Sequence, residues 1–265
     1  MNRRAITATL LTLIFLISAM VVITPMASAQ KTWTVDDDRT QFSTADFTAI
    51  QAAINAASPG DTIIVAAGTY EENVNITKSL QLLGAKAGIP AGPDANPAGR
   101  SDPDEESIIK GTITESRKVS GSTIDGFTIL SNGQHGINLT PTARVGDVIK
   151  NNIIDGGPGN IVKAGIWSAR GGGYLITNNN IRNYLRGMMF DGWATDPQCT
   201  ISGNYITNCS MVGIHTMGSW SNGHIFSNNL IENSGSGIIL AQGEHEVSYN
   251  TIRNNSGSGI LLGYA

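Results

Sequence analysis

Three residues of metal-ligating types recur at nearly equal intervals late in the chain. Cys199, His224 and His245 are 25 and 21 residues apart. Thiolate and imidazole groups are good ligands for copper and zinc. In a stacked repeat, neighbouring members of this column would be close enough to share an ion, whereas its outer members would be about 9.6 Å apart, twice the spacing of adjacent strands. The column therefore indicates either a copper or zinc site or a stack of polar side chains at a bend.

A second group of residues has the chemistry of sugar recognition. Trp193 and Trp220 lie six and seven residues after glycines of adjacent repeats. Aromatic rings stack on the apolar faces of sugars, while carboxylates accept hydrogen bonds from sugar hydroxyl groups or hold Ca²⁺ against an acidic sugar. Exposed aromatic residues on loops are common at recognition sites, although each tryptophan could instead be partly buried against its loop. We therefore predict a carbohydrate-binding surface formed by Trp167, Trp193, Trp220, Asp191 and Asp196.

Two of these residues are also catalytic candidates. Asp191 and Asp196 could act as an acid/base pair. In glycoside cleavage the distance between the two carboxyl groups decides the chemistry, and that distance depends on the fold. The sequence therefore identifies the two residues as candidates but does not determine their activity.

Two acidic runs offer oxygen ligands for Ca²⁺. They are Asp36–Asp38 and Asp102–Glu106. Neither has the fixed ligand spacing of a calcium-binding loop, so solvated acidic loops are the alternative. Calcium and copper are thus the cofactors that the sequence suggests, and it requires neither.

The elements that must position these side chains form a repeat. Each unit has an anchor residue, an apolar residue three positions before it, an Ile two positions after it, and a Gly followed by an apolar residue further on. Short apolar and polar alternations of this kind cannot bury an apolar face alone and must stack on their neighbours. We therefore predict an all-β fold, a single-stranded parallel β-helix, with asparagine ladders at its bends. The anchors, 25, 27, 25, 25 and 21 residues apart, are Phe127, Asn152, Asn179, Asn204, Asn229 and Asn250.

The residue two positions after each turn glycine is expected to point outward, yet most residues at this position are apolar. An outward apolar stripe suggests an interface or a surface covered by a further segment. The chain stops at Ala265, soon after a strand of core type and without a polar cap, so we expect a truncated or uncapped helix. A further C-terminal segment or a protein partner would then cover the last coil. The column consists of Asn138, Trp167, Met189, His215, Ile239 and Leu261.

The N-terminus has the layout of a secretory signal peptide. Arg3 and Arg4 precede an uncharged apolar run, and Ala27-Ser28-Ala29 forms an A-x-A cleavage site. We predict a signal peptide at residues 1–29 and export to the periplasm, the cell surface or the medium by the Sec route. An uncleaved anchor helix is the alternative.

The predicted mature domain, residues 30–265, is a single β-helix domain. Its first element is an amphipathic helix that caps the first coil, and a Gly- and Pro-rich surface loop follows two strands. The full chain has 17 basic and 21 acidic residues, which argues against nucleic acid as a partner, and its two cysteines are too few for a disulfide framework. The helix is predicted at residues 46–57, the strands at 62–66 and 74–83, and the loop at 85–107.

The N-terminal motifs resemble the cap of pectin-lyase-like β-helix proteins. Residues 47–54, 59–65, 68–74 and 80–84 carry this resemblance, and the later Asn-Asn-x-Ile-x-Asn and Ser-Gly-Ile repeats are similar to the NosD-like, carbohydrate-binding and sugar-hydrolase (CASH) branch. The resemblance implies a right-handed parallel β-helix. It implies no single activity, because the superfamily includes lyases, hydrolases, epimerases, esterases, adhesins and a protein linked to copper-enzyme maturation.

The enzyme signatures of these relatives are mostly missing. There is no Asp-Asp pair with a downstream Arg-x-Lys, and residues 196–199 match only the first half of an Asp-Pro-His-Asp motif. Residues 133–136 are slightly similar to a hydrolase Gly-His-Gly motif, but their last glycine belongs to the repeated turn glycines, so a turn is the preferred interpretation.

The sequence thus predicts an extracellular module for the recognition of a polysaccharide or cell-envelope glycan, or for surface adhesion. One alternative is a polysaccharide-processing enzyme of the pectate-lyase-like, hydrolase or epimerase kind. The other is a NosD-like periplasmic protein that binds copper or matures a metalloenzyme.

Overall fold

The computed structural model describes most of the chain after residue 28. The described residues are 29–92, 100, 104–116, 119–131, 133–139, 146–159, 163–169, 172–191, 197–218, 223–241 and 243–263.

Within these residues, the strands form three parallel sheets, here called A, B and C, which each coil visits in turn. Sheet A contains β1 (Thr32–Val35), β2 (Thr62–Val65), β5 (Gln81–Leu83), β8 (Thr123–Asp125), β11 (Val148–Lys150), β14 (Leu175–Thr177), β17 (Thr200–Ser202), β20 (Ile225–Ser227) and β23 (Glu246–Ser248). Sheet B contains β3 (Gly68–Tyr70), β6 (Ser107–Ile109), β9 (Phe127–Leu130), β12 (Ile153–Asp155), β15 (Asn180–Arg182), β18 (Tyr205–Thr207), β21 (Leu230–Glu232) and β24 (Thr251–Arg253). Sheet C contains β4 (Val74–Ile76), β7 (Ile113–Glu115), β10 (Ile137–Leu139), β13 (Ala164–Ser168), β16 (Arg186–Asp191), β19 (Val212–Met217), β22 (Ser236–Leu240) and β25 (Ile260–Leu262).

The interior is filled by ladders of apolar side chains, one residue from each coil. Ile149 of sheet A pairs in register with Ile176, and Ile181 of sheet B pairs with Ile206. All four side chains are fully buried. Because strands alternate their faces, one residue of register error would have turned these ladders outward. The predicted right-handed parallel β-helix and its repeat register are confirmed.

The anchor asparagines form a buried ladder at the corner between sheets A and B. The backbone N–H of Asn179 donates to Oδ1 of Asn204 at 3.0 Å, and Nδ2 of Asn179 donates to the Ile149 carbonyl at 2.9 Å. The residue before the anchor adopts the left-handed region, as at Asn178 with φ of 56°. Asparagine tolerates that conformation, so residue type and corner geometry agree.

A short helix, α1 (Ile50–Ala56), covers the first coil through its buried residues Ile50, Ala53 and Ile54. It is shorter than predicted. The Glu72 carboxylate accepts hydrogen bonds from the backbone N–H groups of Ile50 and Gln51, which fixes the helix start. Among the described residues, no helix is long and apolar enough to cross a membrane.

The predicted strand at 74–83 is wrong as one element. The chain turns a corner after Ile76, so that β4 belongs to sheet C and β5 to sheet A. The apolar pattern continues through the corner because Leu80 is also buried. Continuous hydrophobicity therefore concealed the bend. Strands β1 and β3 were not predicted either.

The described part of the predicted loop at 85–107 packs against the corner between sheets A and B. Ala91 donates its N–H to the Asn178 carbonyl, and Nη1 of Arg100 donates to the Asn151 carbonyl. Arg100 and Glu106 form a buried ion pair at 2.9 Å. Gly126 permits the close approach, since a Cβ at this residue would lie 2.0 Å from the Ala87 nitrogen. The described part of this segment is a strap that is anchored over the corner.

At the other end, the side chains of Ile260, Leu261 and Leu262 are 49%, 45% and 69% exposed. Coverage of these side chains by a further segment or a protein partner stays a prediction.

Candidate glycan-binding surface

The outer face of sheet C carries the outward column that the sequence predicted. Trp167 pairs in register with Asn138 on one side and with Met189 on the other, and Met189 pairs with His215. The four side chains are half-buried, as expected for outward residues in the middle of a sheet. We call Trp167, His135, Asn138, Arg186 and His215 the sheet C face.

Trp167 is held by a stacked histidine. The rings of His135 and Trp167 have centroids 5.1 Å apart and planes inclined by 17°. Nδ1 of His135 accepts a hydrogen bond from the Ala164 N–H at 3.2 Å, which fixes the imidazole. Burial, and to a smaller extent the charge of Lys163, lower the pKa of His135. A neutral imidazole therefore supports the indole ring and restricts its rotation.

Arg186 on the next rung and His215 on the rung after it form a second pair. Nε of Arg186 donates to Nδ1 of His215 at 3.1 Å. Burial, and then the nearby guanidinium charge, lower the pKa of His215. His215 is therefore neutral and carries its proton on Nε2, because Nδ1 is an acceptor. The guanidinium keeps its charge, since an arginine side chain is not deprotonated in proteins.

A shallow cavity lies beside this second pair. It has a volume of about 240 Å³, and His215, Met217 and Ile239 are among its lining residues. The surface combines apolar side chains with a hydrogen-bond donor. The volume of the cavity is below the roughly 300 to 1,000 Å³ of ordinary small-molecule pockets, so the cavity offers a shallow contact surface and not an enclosed site.

The structure describes part of the predicted carbohydrate-binding set. Trp167 lies on the sheet C face, and Asp191 is exposed at the end of β16, in register with Met217. Trp193, Trp220 and Asp196 lie outside the described residues. The separation of Asp191 and Asp196, and with it their role as an acid/base pair, stays a prediction.

The predicted metal-ligand column is a hydrogen-bonded ladder at the corner between sheets C and A. Nδ1 of His224 accepts from the Cys199 N–H at 2.9 Å, and Nδ1 of His245 accepts from the His224 N–H at 3.2 Å. The two imidazoles are stacked with centroids 5.4 Å apart. Both Nδ1 atoms are thus engaged with the backbone. Metal binding at this column stays a prediction. An ion could bind Nδ1 only if the backbone N–H donors were displaced, or it could bind Nε2.

One acidic run does bring its carboxylates together. Among the described His, Cys, Asp and Glu residues, the one group with ligand atoms within 4.8 Å of one another is Asp36, Asp37 and Asp38. Their oxygens also accept backbone hydrogen bonds, for example Asp37 from Thr69 at 3.0 Å. In the second run, Glu106 is buried against Arg100, so it is unavailable for Ca²⁺.

Sequence analysis missed Arg186 and the supporting role of His135. Both residues immediately precede a turn glycine. The register partners of Arg186 at this position, Ala164 and Val212, are buried, so the repeat register did not indicate a surface residue here. The contact between Arg186 and His215 depended on side-chain conformation, which the register does not give.

Comparison with known proteins agrees with this architecture. The chain has the fold of a right-handed parallel β-helix. Residues 143–265 match a family model described as "Right handed beta helix region". The crystal structure of a pectin methylesterase from Aspergillus niger, in deglycosylated form, is similar with a TM-score of 0.53 and 14% sequence identity. The similarity covers 88% of this chain and 83% of that one. Among curated protein sequences, no match was found.

Proposed function

We propose that this protein is an exported carbohydrate-recognition module that binds a polysaccharide or cell-envelope glycan along the outer face of sheet C. The observation that carries the proposal is the half-buried indole of Trp167, held in place by the His135 ring 5.1 Å away. A fixed aromatic face loses little conformational entropy when a sugar stacks on it. The signal-peptide layout supports export.

Two further features support a glycan as the ligand. The pectin methylesterase that has a similar fold is named for a polysaccharide. In addition, Trp193 and Trp220 follow Asp191 and Met217 by two and three residues, and Asp191 and Met217 are register partners. Parallel strands of a solenoid offer a long surface, which suits a polymer better than a single sugar.

The test is a glycan array with the full-length protein, followed by titration of the best ligand. Trp167→Ala should weaken binding by about tenfold, the effect of losing roughly 1 to 2 kcal/mol of aromatic stacking. Tyr249→Asn is the matched control, because Tyr249 is an aromatic residue that is 86% exposed at the corner between sheets A and B. Asparagine also tolerates the positive φ of 56° at this position. An equal loss in both variants, or no bound glycan, would contradict the proposal.

The same titration separates the module from an enzyme. Each bound polysaccharide is incubated with the protein and analysed for unsaturated ends, reducing ends and released ester groups. We expect binding without any of these products. A product that disappears in Asp191→Asn would instead establish the polysaccharide-processing alternative and assign a role to Asp191.

A further inference from the structure

The charge of Arg186 has no acidic partner in the described part of the chain. Other described basic residues, including Arg100, Arg182 and Arg253, form ion pairs with carboxylates. Arg186 instead donates its Nε hydrogen to an imidazole that is neutral. Its side chain is half-buried on the sheet C face. A partly desolvated cation that is paired with a neutral group lacks the opposite charge that usually offsets the cost of removing a charge from water.

The pairing with His215 also orients the guanidinium. With Nε committed to Nδ1 of His215, the planar group cannot rotate freely, and its two terminal NH₂ groups make no hydrogen bond to the described residues. A guanidinium fork of this kind matches the two oxygens of a carboxylate. His215 is then a positioning residue for Arg186.

We infer that Arg186 is a metal-independent subsite for the carboxylate of an acidic sugar in the bound glycan. The inference rests on the proposed function and specifies its ligand class. Trp167 and Arg186 lie on adjacent rungs, and Arg186 is in register with Ala164, three residues before Trp167, so their backbones are about 4.8 Å apart across the sheet and about 10 Å along it. An oligosaccharide along the sheet can therefore stack one sugar on Trp167 and present the carboxylate of another to Arg186.

The experiment compares two ligands that differ in whether their carboxylates are free or methyl-esterified. Oligogalacturonate and its methyl-esterified form are titrated against the full-length protein by calorimetry in EDTA. The wild type should bind the charged oligomer roughly tenfold more tightly, as expected for charge-assisted hydrogen bonds. Arg186→Gln should remove this preference, so that the variant binds the two oligomers with equal affinity. Arg182→Gln is the matched control, because its guanidinium pairs with Asp155 on sheet B, and it should keep the preference.

The outcomes separate this inference from the proposed function. If both oligomers bind equally and Trp167→Ala weakens both, the glycan site stands and the carboxylate subsite is wrong. If the preference needs a metal ion and disappears in EDTA, the subsite is also wrong. A sulfated galacto-oligosaccharide that binds more tightly than oligogalacturonate would overturn the assignment to a carboxylate. If none of these oligosaccharides binds but the glycan array identifies another ligand, the proposed function stands and the inference is wrong.

Discussion

Oδ1 of Asn229 accepts two hydrogen bonds from Asn204, one from its backbone N–H and one from its Nδ2, both at 3.0 Å. Asn204 accepts the corresponding pair from Asn179. Each amide is therefore acceptor for one coil and donor to the next. Both asparagines are fully or almost fully buried. The ladder satisfies corner backbone groups that the sheet bonds leave unpaired.

Removing one member of this ladder should destabilise the fold strongly. Asn204→Ala leaves the N–H and Nδ2 of Asn179 without their acceptor. Because buried unsatisfied polar groups cost about 1 to 3 kcal/mol each, we expect a loss of about 3 kcal/mol in the free energy of unfolding. Urea denaturation measures it.

The control for the ladder is Asn208→Gly. Asn208 is exposed and has a φ of 54°, which glycine adopts without strain. We expect a loss below about 1 kcal/mol. Equal losses in the two variants would show that the buried amide of Asn204 adds no more stability than the exposed side chain of Asn208.

The register of sheet B predicts different costs at two adjacent residues. Ile206 is fully buried, whereas Tyr205 points outward and its hydroxyl donates to Glu232 at 2.8 Å. Ile206→Asn places an amide in the apolar interior and should cost several kcal/mol. Tyr205→Asn should cost far less. Thermal unfolding of both variants is the measurement, and equal shifts would show that the register is off by one residue.

Acid should weaken the fold through its histidines. Burial, and then the charge of His245, lower the pKa of His224 from its ordinary value of 6.5 to about 4. Between pH 6.5 and pH 4, His224 binds a proton in the unfolded chain but not in the folded chain. Its contribution to the free energy of unfolding is therefore fully present above pH 6.5 and is lost as the pH falls towards 4. The pKa values of His135, His215 and His245 are lowered as well, so their contributions have the same sign.

The matched variant for the acid effect is His224→Asn. Asparagine keeps an acceptor for the Cys199 N–H but does not titrate. We expect the melting temperature of this variant to fall less steeply than that of the wild type between pH 6.5 and pH 4. Identical slopes would mean that His224 takes no part in the acid response.

The strap over the corner between sheets A and B should depend on its buried ion pair. Arg100→Ala leaves Glu106 charged and buried, with a remaining hydrogen bond from Thr128 at 2.9 Å. Breaking such a pair typically costs about 3 to 5 kcal/mol. Lys110→Ala removes an exposed pair with Glu71 and should cost less than about 1 kcal/mol. Chemical denaturation compares the two, and a small effect of Arg100→Ala would show that the strap contributes little to stability.

The sequence by itself determined the fold because the repeat is a local pattern with a geometric consequence. Ile residues at fixed offsets from an anchor can be buried together only if successive coils stack in register. That requirement alone places Ile149 beside Ile176 and Asn179 beside Asn204, as the strand pairing and the amide ladder confirm. It also places Cys199, His224 and His245 in one column.

Only the tertiary structure decided what these columns and the outer face do chemically. Register brings Cα atoms together, but the direction of each side-chain atom depends on rotamers and on the backbone groups around it. For this reason the imidazoles of His224 and His245 direct Nδ1 at the neighbouring backbone, which the types and spacing of the residues did not indicate. Arg186 was absent from the predicted site for the same reason, because its link to His215 joins residues that are three positions out of register along adjacent strands.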